Sequence, residues 1–342
     1  MNKLKQYWYL VFFALTTVIL FIIHPLSGSE LVSLNWQSII TIVILFFLEE
    51  GIRKEKLILP LFKVANSVRS LPFLFFLLLL SSFVFSLFIF DFYTVLIFIP
   101  FTLKLLKESK KESYAPQLCA LITLSSITSN AISPLGEANI YLFSSQDFNL
   151  SSFLSSTLPF TIIAIVIFSI EALLALRKSK GEEIYLHIEN EDYWENEKKG
   201  LRIFYIAFFL VLVLLRHFNT IDIFIVVALS LLIFDRSIFK KADYSILLTL
   251  LFVMLSSSIL KLANFNLNEV ISIVLTRLGA LTLFGEDKTA LNKTLISSFV
   301  SISLPLIFAI RELKEKKREF CISYLLLSLP FILLSLILFF IF

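Results

Sequence analysis

Residues 71–106 read LPFLFFLLLLSSFVFSLFIFDFYTVLIFIPFTLKLL, an apolar block that Asp91 interrupts near its middle. One helical crossing of a bilayer needs about 20 apolar residues, so the block is too long for a single crossing. Basic residues flank it, with Arg69 before it and four lysines within residues 104–111. Because basic loops stay on the cytoplasmic side of a membrane, both ends of the block are predicted to lie on that side.

The block is therefore expected to form a re-entrant hairpin. It would enter near Pro72, turn near Phe90-Asp91 and return by Pro100, and irregular backbone at such depth must face protein or a wet cavity. Two ordinary crossings broken at Asp91 are the alternative. An intramembrane carboxylate is costly, so Asp91 is a candidate functional group. It can also be the N-cap residue of the returning helix, with Thr94 three positions on.

The composition of the whole chain is that of a membrane protein. Hydrophobic residues make up 58% of the 342 residues, charged residues 16%, and the mean hydropathy is +0.90. A soluble fold of this length would have too few polar residues to cover its surface. The prediction is an all-α polytopic membrane protein with about nine or ten transmembrane helices and the re-entrant hairpin. The candidate spans are residues 8–24, 33–48, 71–106, 115–147, 151–176, 201–216, 219–234, 243–262, 289–310 and 321–341.

The charged loops between these spans predict the orientation of the chain. Most of the 30 Lys and Arg residues fall in the N-terminus and in loops that the hairpin assignment places inside, whereas loops 25–32 and 143–150 hold none. The chain is thus expected in the cytoplasmic (inner) membrane, multi-pass, with its N-terminus inside. A single integral membrane domain, residues 1–342, would comprise an N-terminal helix (1–32), a first repeat (33–176), a cytoplasmic loop (177–200) and a shortened second repeat (201–342).

Two similar segments suggest this internal duplication. Asn35-Trp36-Gln37-Ser38 opens an apolar helix followed by a charged arm, and Ala242-Asp243-Tyr244-Ser245 opens another. The loop charges predict that the first helix runs from outside to inside and the second from inside to outside. This antiparallel relation is the inverted-repeat plan of many secondary transporters.

The most unusual segment is TLSSITSNAISPLGEAN, residues 123–139, which is polar although apolar stretches flank it. Six hydroxyl or amide side chains lie within residues 125–133, and Pro134 and Gly136 then break the helix. A broken helix at bilayer depth offers amides to an anion and carbonyls to a cation. Alternatively, the serines and threonines only cap helices or bond to preceding carbonyls. The cluster taken together with Asn139 favours a binding site.

The other carboxylates have plainer interpretations. Glu171 lies near the cytoplasmic end of a span, where its side chain is expected to reach the interface. Asp235 beside Arg236 is expected to form a solvated ion pair at a membrane edge. Asp91, Asp222 and Asp235 lack the paired signatures of intramembrane aspartyl proteases, so no enzyme is predicted.

Histidines and cysteines do not predict a metal or redox site. The three histidines are scattered without ligand spacing. Cys119 and Cys321 both lie in or beside apolar segments and are expected to be small core residues.

Six motifs follow one another in a fixed order: Asn35-Trp36, the arm at 49–70, Ile89-Phe90-Asp91 with Thr94 and Pro100, Ser126 to Asn139, Leu158-Pro159, and Lys241 to Leu248. In this order the chain resembles the ion transporter superfamily, which includes arsenite permeases, NhaD-type sodium/proton antiporters, citrate carriers and dicarboxylate symporters. The resemblance covers residues 30–265 and is strongest at 83–176.

The resemblance implies a secondary transporter that works by alternating access. Its cargo would be a small anion, either an oxyanion or a carboxylate, or sodium exchanged for protons, with sodium or protons as coupling ions and no other cofactor. Its partners would be the lipid bilayer, the transported ion and a second copy in a homodimer, without nucleic acid. Asp91 and Glu137 would be coupling carboxylates, and Pro134 and Gly136 the helix break. The expected substrate- or ion-binding residues are Asp91, Thr94, Ser129, Asn130, Ser133, Gly136 and Asn139.

The chain departs from the family pattern in two ways. Phe90 stands at the hairpin tip where the family has Asn, and Glu137-Ala138 stands where it has Asn/Asp-Pro. The second half is also short, because residues 289–342 must match what residues 71–176 provide in the first. Family members build their site from both halves, so the alternative is a non-transporting membrane subunit derived from such a carrier.

Overall fold

The computed structural model describes residues 7–34, 36–54, 59–133, 150–185, 201, 203–205, 207, 220–263, 303–313 and 316–341. These residues form α-helices, one 3-10 turn and one isolated β-bridge between Ser70 and Glu183. The all-α prediction is therefore confirmed for the described part of the chain. Within that part, no helix is both long enough and apolar enough to cross a membrane.

Most of the described helices lie within or close to the predicted apolar blocks. Most of the predicted spans 201–216 and 289–310, and the end of span 115–147, lie outside the described residues. The long block is split by a turn over residues 87–90, so the predicted turn near Phe90-Asp91 is confirmed. Whether the hairpin is re-entrant or crosses twice stays a prediction. The helices are α1 (Trp8–Ile23), α2 (Gly28–Ser33), α3 (Trp36–Lys54), α4 (Leu59–Ser67), α5 (Leu71–Ser86), α6 (Asp91–Glu108), α7 (Ala115–Ile132), α8 (Leu150–Lys178), α9 (Thr220–Phe234), α10 (Ile238–Lys241), α11 (Tyr244–Leu262), α12 (Leu304–Leu313) and α13 (Lys317–Ile341), with the 3-10 turn at Glu112–Tyr114.

The chain divides into two compact units that each combine distant segments. Unit 1 contains residues 1–55, 137–149 and 198–297, and unit 2 contains residues 56–136, 150–197 and 298–342. Both units draw on both predicted repeats. The units therefore do not coincide with the repeats, and the division into repeats stays a prediction.

In unit 1, the end of α3 meets the start of α11. Near the end of α3, Glu50 Oε1 accepts a hydrogen bond (3.2 Å) from the backbone N–H of Asp243, which precedes α11. The rings of Phe46 and Tyr244 lie 6.1 Å apart at the same place. The Asp243 carboxylate accepts hydrogen bonds from the N–H and the hydroxyl of Ser245 and so caps the start of α11. These are the helices that the two similar segments open, and their predicted antiparallel relation stays a prediction.

The Asp235 carboxylate of unit 1 is buried. It accepts hydrogen bonds of 2.7 Å from the hydroxyls of Tyr205 and Ser237. The Tyr205 ring packs so closely on Gly51 that a Cβ there would overlap it. The predicted solvated ion pair with Arg236 is therefore wrong, because hydroxyl donors rather than water satisfy the carboxylate.

Helix α7 is the centre of unit 2. Helices α5, α6, α8, α12 and α13 all pack against it, and every side chain from Leu118 to Asn130 is buried. Its polar residues therefore face protein. Because α12 also packs on α6, residues 303–341 share one compact unit with the predicted hairpin.

The segment that follows α8 forms backbone hydrogen bonds with the residues at the start of α5, at one end of unit 2. The Ile184 N–H donates to the Arg69 carbonyl (2.9 Å), and the Leu71 N–H donates to the Glu182 carbonyl (3.0 Å). These bonds fix the start of α5 beside the end of α8. We call this end of unit 2 the base; it comprises residues 69–71, 109–114, 179–185 and 316.

Charged side chains complete the base. The Glu182 carboxylate accepts hydrogen bonds from Lys111 Nζ (2.6 Å) and from the Tyr114 hydroxyl, and Lys316 Nζ donates to the Glu112 carbonyl (2.7 Å). Four of the basic loops that the sequence places on one side thus meet at one end of this unit. That geometry agrees with the prediction that both ends of the 71–106 block lie together.

Candidate functional site

A ladder of serine hydroxyls joins α7 to α5. The hydroxyls of Ser125, Ser129 and Ser133 donate to carbonyls of the other helix, each bond joining residues 46 positions apart. A constant offset means that the two helices run parallel. The acceptors are the carbonyls of Leu79 (3.2 Å), Phe83 (2.5 Å) and Leu87 (2.5 Å), respectively.

Two serines of α5 donate in return. Ser82 Oγ donates to Ser125 Oγ (3.3 Å), and Ser86 Oγ donates to the Ser126 carbonyl (2.9 Å). Small side chains that exchange hydrogen bonds allow helices to approach closely. Ser129 and Ser133, both predicted to bind substrate, thus use their hydroxyl protons to hold α7 against the hairpin, and their binding role stays a prediction.

Helix α7 ends just before the predicted break. Its last residue is Ile132, and Ser133 is extended with φ −76° and ψ 125°. A residue that precedes proline is pushed out of the helical region, and Pro134 follows here. The helix therefore does not continue through the polar segment. Residues Pro134, Gly136, Glu137 and Asn139 lie outside the described residues.

Asp91 begins the second hairpin helix. Its side chain is 6% exposed, and Oδ1 accepts a hydrogen bond of 2.7 Å from the Phe92 N–H. A carboxylate at a helix N-terminus lies at the positive end of the helix dipole. The N-cap position belongs to Phe90, so the N-cap interpretation of Asp91 is wrong by one residue. Thr94 is fully buried and its hydroxyl donates to the Phe90 carbonyl (3.4 Å).

The ladder brings the end of α7 to the hairpin turn. Ser133 bonds to Leu87, the first residue of that turn, four positions before Asp91. Asn130, in the last turn of α7, is fully buried. The structure therefore brings the predicted hairpin tip and the polar end of α7 together, as the sequence predicts.

Two further hydroxyls near this turn were not predicted. Ser303, just before α12, is 6% exposed, and Tyr324 of α13 is 5% exposed. Neither hydroxyl makes a hydrogen bond of ordinary geometry to the described residues, and the Tyr324 hydroxyl lies near that of Ser303 and near the Asp91 carboxylate. The available signal was one tyrosine within a largely apolar span.

The base has a separate electrostatic arrangement. The Lys111 ammonium, and next the Tyr114 hydroxyl, hold the pKa of the Glu182 carboxyl below its usual value through hydrogen bonds. The same bond to Glu182 raises the pKa of Tyr114. These groups join the segment after α6 to the segment after α8 at the base.

The described residues contain no cluster of three or more His, Cys, Asp or Glu side chains that could hold a metal ion. Asp222 and Asp235 stand at opposite ends of α9, about 20 Å apart along the helix. They therefore cannot form the facing pair of carboxylates that an aspartyl protease requires.

Of the two cysteines, Cys119 is buried as predicted, whereas Cys321 is exposed and the core prediction is wrong for it.

Comparison with known proteins identifies the family. The chain matches the family model described as "Citrate transporter" (CitMHS) over residues 5–304. Comparison with curated proteins found no match. The family match agrees with the resemblance to the ion transporter superfamily and covers far more than half of the chain. The chain therefore belongs to the citrate transporter family.

Proposed function

We propose that this chain is a multi-pass membrane carrier that moves citrate or a related small carboxylate by alternating access. Membership in the citrate transporter family supports the substrate class. The observation that carries the proposal is the hydrogen bond from Ser133 to Leu87, which places the end of α7 at the hairpin turn beside Asp91. A helix end and a hairpin turn held together at membrane depth are the usual elements of a carrier's binding site.

Apolar stripes on the helix surfaces support a location in a bilayer. Large apolar side chains are exposed on α1 and α9 of unit 1 and on α13 of unit 2. On α13 they recur three or four positions apart and so form one face. Lipid would cover this face without the unfavourable exposure to water. The residues of the α13 face are Ile322, Leu325, Leu326, Leu329 and Leu333.

The cargo would bind at the meeting point of the turn and α7. Thr94, Asn130 and Ser133 supply hydroxyl and amide groups there without fixed positive charge. Gly136 and Asn139, just beyond the end of α7, would complete the site. Asp91 and Glu137 would respond to a coupling sodium ion or proton, so that binding of the ion and the anion is linked.

Uptake by the purified protein in liposomes tests this function directly. Radiolabelled citrate, succinate and arsenite are each offered under an imposed sodium gradient and under an imposed proton gradient, with empty liposomes as the control. Uptake of citrate or succinate driven by one gradient is expected. A chain that moves none of them yet copurifies with another membrane protein would instead be a non-transporting subunit.

Cys321 permits a test of orientation. It is exposed at the start of α13, beside Lys317 and Arg318, whereas Cys119 is fully buried. The N-terminus and the base would face the cytoplasm. A membrane-impermeant maleimide should then label inside-out vesicles and leave right-side-out vesicles unlabelled, with Cys321→Ser as the control. Labelling of right-side-out vesicles would reverse the proposed orientation.

A homodimer is the assembly that we propose. Carriers of this plan move one part of the molecule against a fixed scaffold, and a second copy would supply that support. Light scattering of the purified protein in detergent, corrected for bound detergent, should give twice the 39.3 kDa of one chain.

A further inference from the structure

We infer that Asp91, Ser303 and Tyr324 form a binding site for a monovalent cation, for which sodium is the probe. The inference deepens the proposed function, and it rests on that function for the place of the cation in a transport cycle. The family match ends at residue 304. Tyr324 therefore belongs to a helix that the match does not cover.

The packing of unit 2 brings these three residues together. Helix α12 lies against α6, where the rings of Phe92 and Phe308 are 5.5 Å apart. Helix α13 lies against α7 and α12. Tyr324 on α13 consequently lies near both Ser303, just before α12, and Asp91, the first residue of α6.

The two hydroxyls are incompletely satisfied. The oxygens of Ser303 and Tyr324 are buried, and apart from their mutual interaction they have no hydrogen-bond partner among the described residues. Buried hydroxyls usually find partners, and those that do not require an explanation. Ser328, one turn further along α13, shows the ordinary outcome, because its hydroxyl donates to the Leu325 carbonyl (3.1 Å). The lone pairs of Ser303 and Tyr324 are available to a ligand.

The chemistry of the three groups selects the ligand. One carboxylate and two hydroxyls are hard oxygen donors, which suit alkali and alkaline-earth cations. A monovalent cation would neutralise the single charge of Asp91, whereas a divalent cation would leave a positive charge in a buried site, which is unfavourable. The site therefore favours sodium over magnesium or calcium.

Binding of radioactive sodium to the purified full-length protein in detergent tests the inference without any transport substrate. The wild type should bind sodium saturably, and Asp91→Asn should abolish this binding. Tyr324→Phe removes only the hydroxyl and should weaken the affinity about tenfold. Ser328→Ala removes a buried hydroxyl from the same helix and should leave the affinity unchanged.

Several outcomes would overturn the inference. They are an absence of saturable binding to the wild type, equal affinity in Tyr324→Phe, or competition by magnesium that is stronger than that by sodium. A merely structural tyrosine would lower the melting temperature of Tyr324→Phe without changing its sodium affinity. Citrate uptake without sodium binding would refute only this inference, and sodium binding without uptake of any carboxylate would refute only the proposed function.

Discussion

Two groups of buried hydroxyls in unit 2 differ in how their hydrogen bonds are completed. In the ladder between α5 and α7, the hydroxyls of Ser125, Ser129 and Ser133 each donate to a carbonyl of the other helix. Near the hairpin turn, Ser303 and Tyr324 have only each other among the described residues. Both groups are equally removed from solvent.

This difference in hydrogen bonding distinguishes hydroxyls that pack helices together from hydroxyls that can bind a ligand. A hydroxyl that donates to a neighbouring backbone carbonyl stabilises the fold and keeps only its lone pairs for a ligand. A buried hydroxyl that lacks such a partner costs stability unless something binds it. We therefore expect substitutions in the ladder to affect stability, and substitutions at Asp91 and its neighbours to affect ligand binding and uptake.

The largest effect is expected for Asp91→Asn. The amide has the same shape and its oxygen can still accept the Phe92 N–H, so the fold should persist. The charge that would hold the cation is lost, and citrate uptake in liposomes should fall by roughly a hundredfold. The melting temperature in detergent should change little. Asp222→Asn, at an exposed position of α9, is the control and should transport normally.

The outcome would contradict the proposed role if Asp91→Asn transported at the wild-type rate. Loss of transport together with a collapse of the melting temperature would instead assign Asp91 to folding. The comparison between the two groups of hydroxyls would then no longer hold, since the carboxylate beside Tyr324 would be a structural acceptor.

The sequence predicts the hairpin turn and the end of α7 for simple physical reasons. A carboxylate within an apolar block marks a turn because it is costly elsewhere, and Pro134 cannot follow a helical residue easily. The position of the turn before Asp91 and the end at Ile132 agree with both arguments. Such local signals are enough to locate the candidate site along the chain.

The role of the serines was harder to predict. Ser125, Ser129 and Ser133 recur every four residues, a spacing that places them on one face of a helix. That spacing indicates a packing face, but the density of polar residues equally indicated a binding site. Ser303 and Tyr324 could not be predicted at all, because their contact with the region of Asp91 joins parts of the chain more than 200 residues apart.

The second largest effect is expected for the triple variant Ser125→Ala, Ser129→Ala, Ser133→Ala. Each interhelical hydroxyl bond contributes about 0.6–1 kcal/mol, so the free energy of unfolding should fall by roughly 2–3 kcal/mol. Chemical denaturation in detergent measures this. Ser126→Ala is a matched control, because its hydroxyl donates only within α7, to the Thr123 carbonyl. A triple variant as stable as Ser126→Ala would refute the packing role of the ladder.

A smaller effect on binding is expected for Ser303→Ala. This change removes one neutral donor and leaves Asp91 and Tyr324 in place, so sodium affinity should fall about fivefold. The free energy of unfolding should rise slightly in the absence of sodium, because a buried hydroxyl without full partners is removed. Opposite signs for affinity and stability would distinguish this serine from the three in the ladder. A fall in both the sodium affinity and the free energy of unfolding would mean that Ser303 has a packing role like that of the three ladder serines.

The smallest effect is expected at the base, where Glu182 is partly exposed to solvent. Hydrogen bonds from Lys111, and next from Tyr114, lower the pKa of its carboxyl in the folded state. A lowered pKa stabilises the fold above the unfolded value near 4.5, and this contribution is lost as the pH falls through the folded pKa. Glu182→Gln should therefore melt slightly below the wild type at pH 7, and the two should converge when the pH is brought below that pKa. Glu108→Gln, an exposed neighbour at the end of α6, should not show this convergence. A difference for Glu182→Gln that persisted in acid would mean that the base is held by shape rather than by charge.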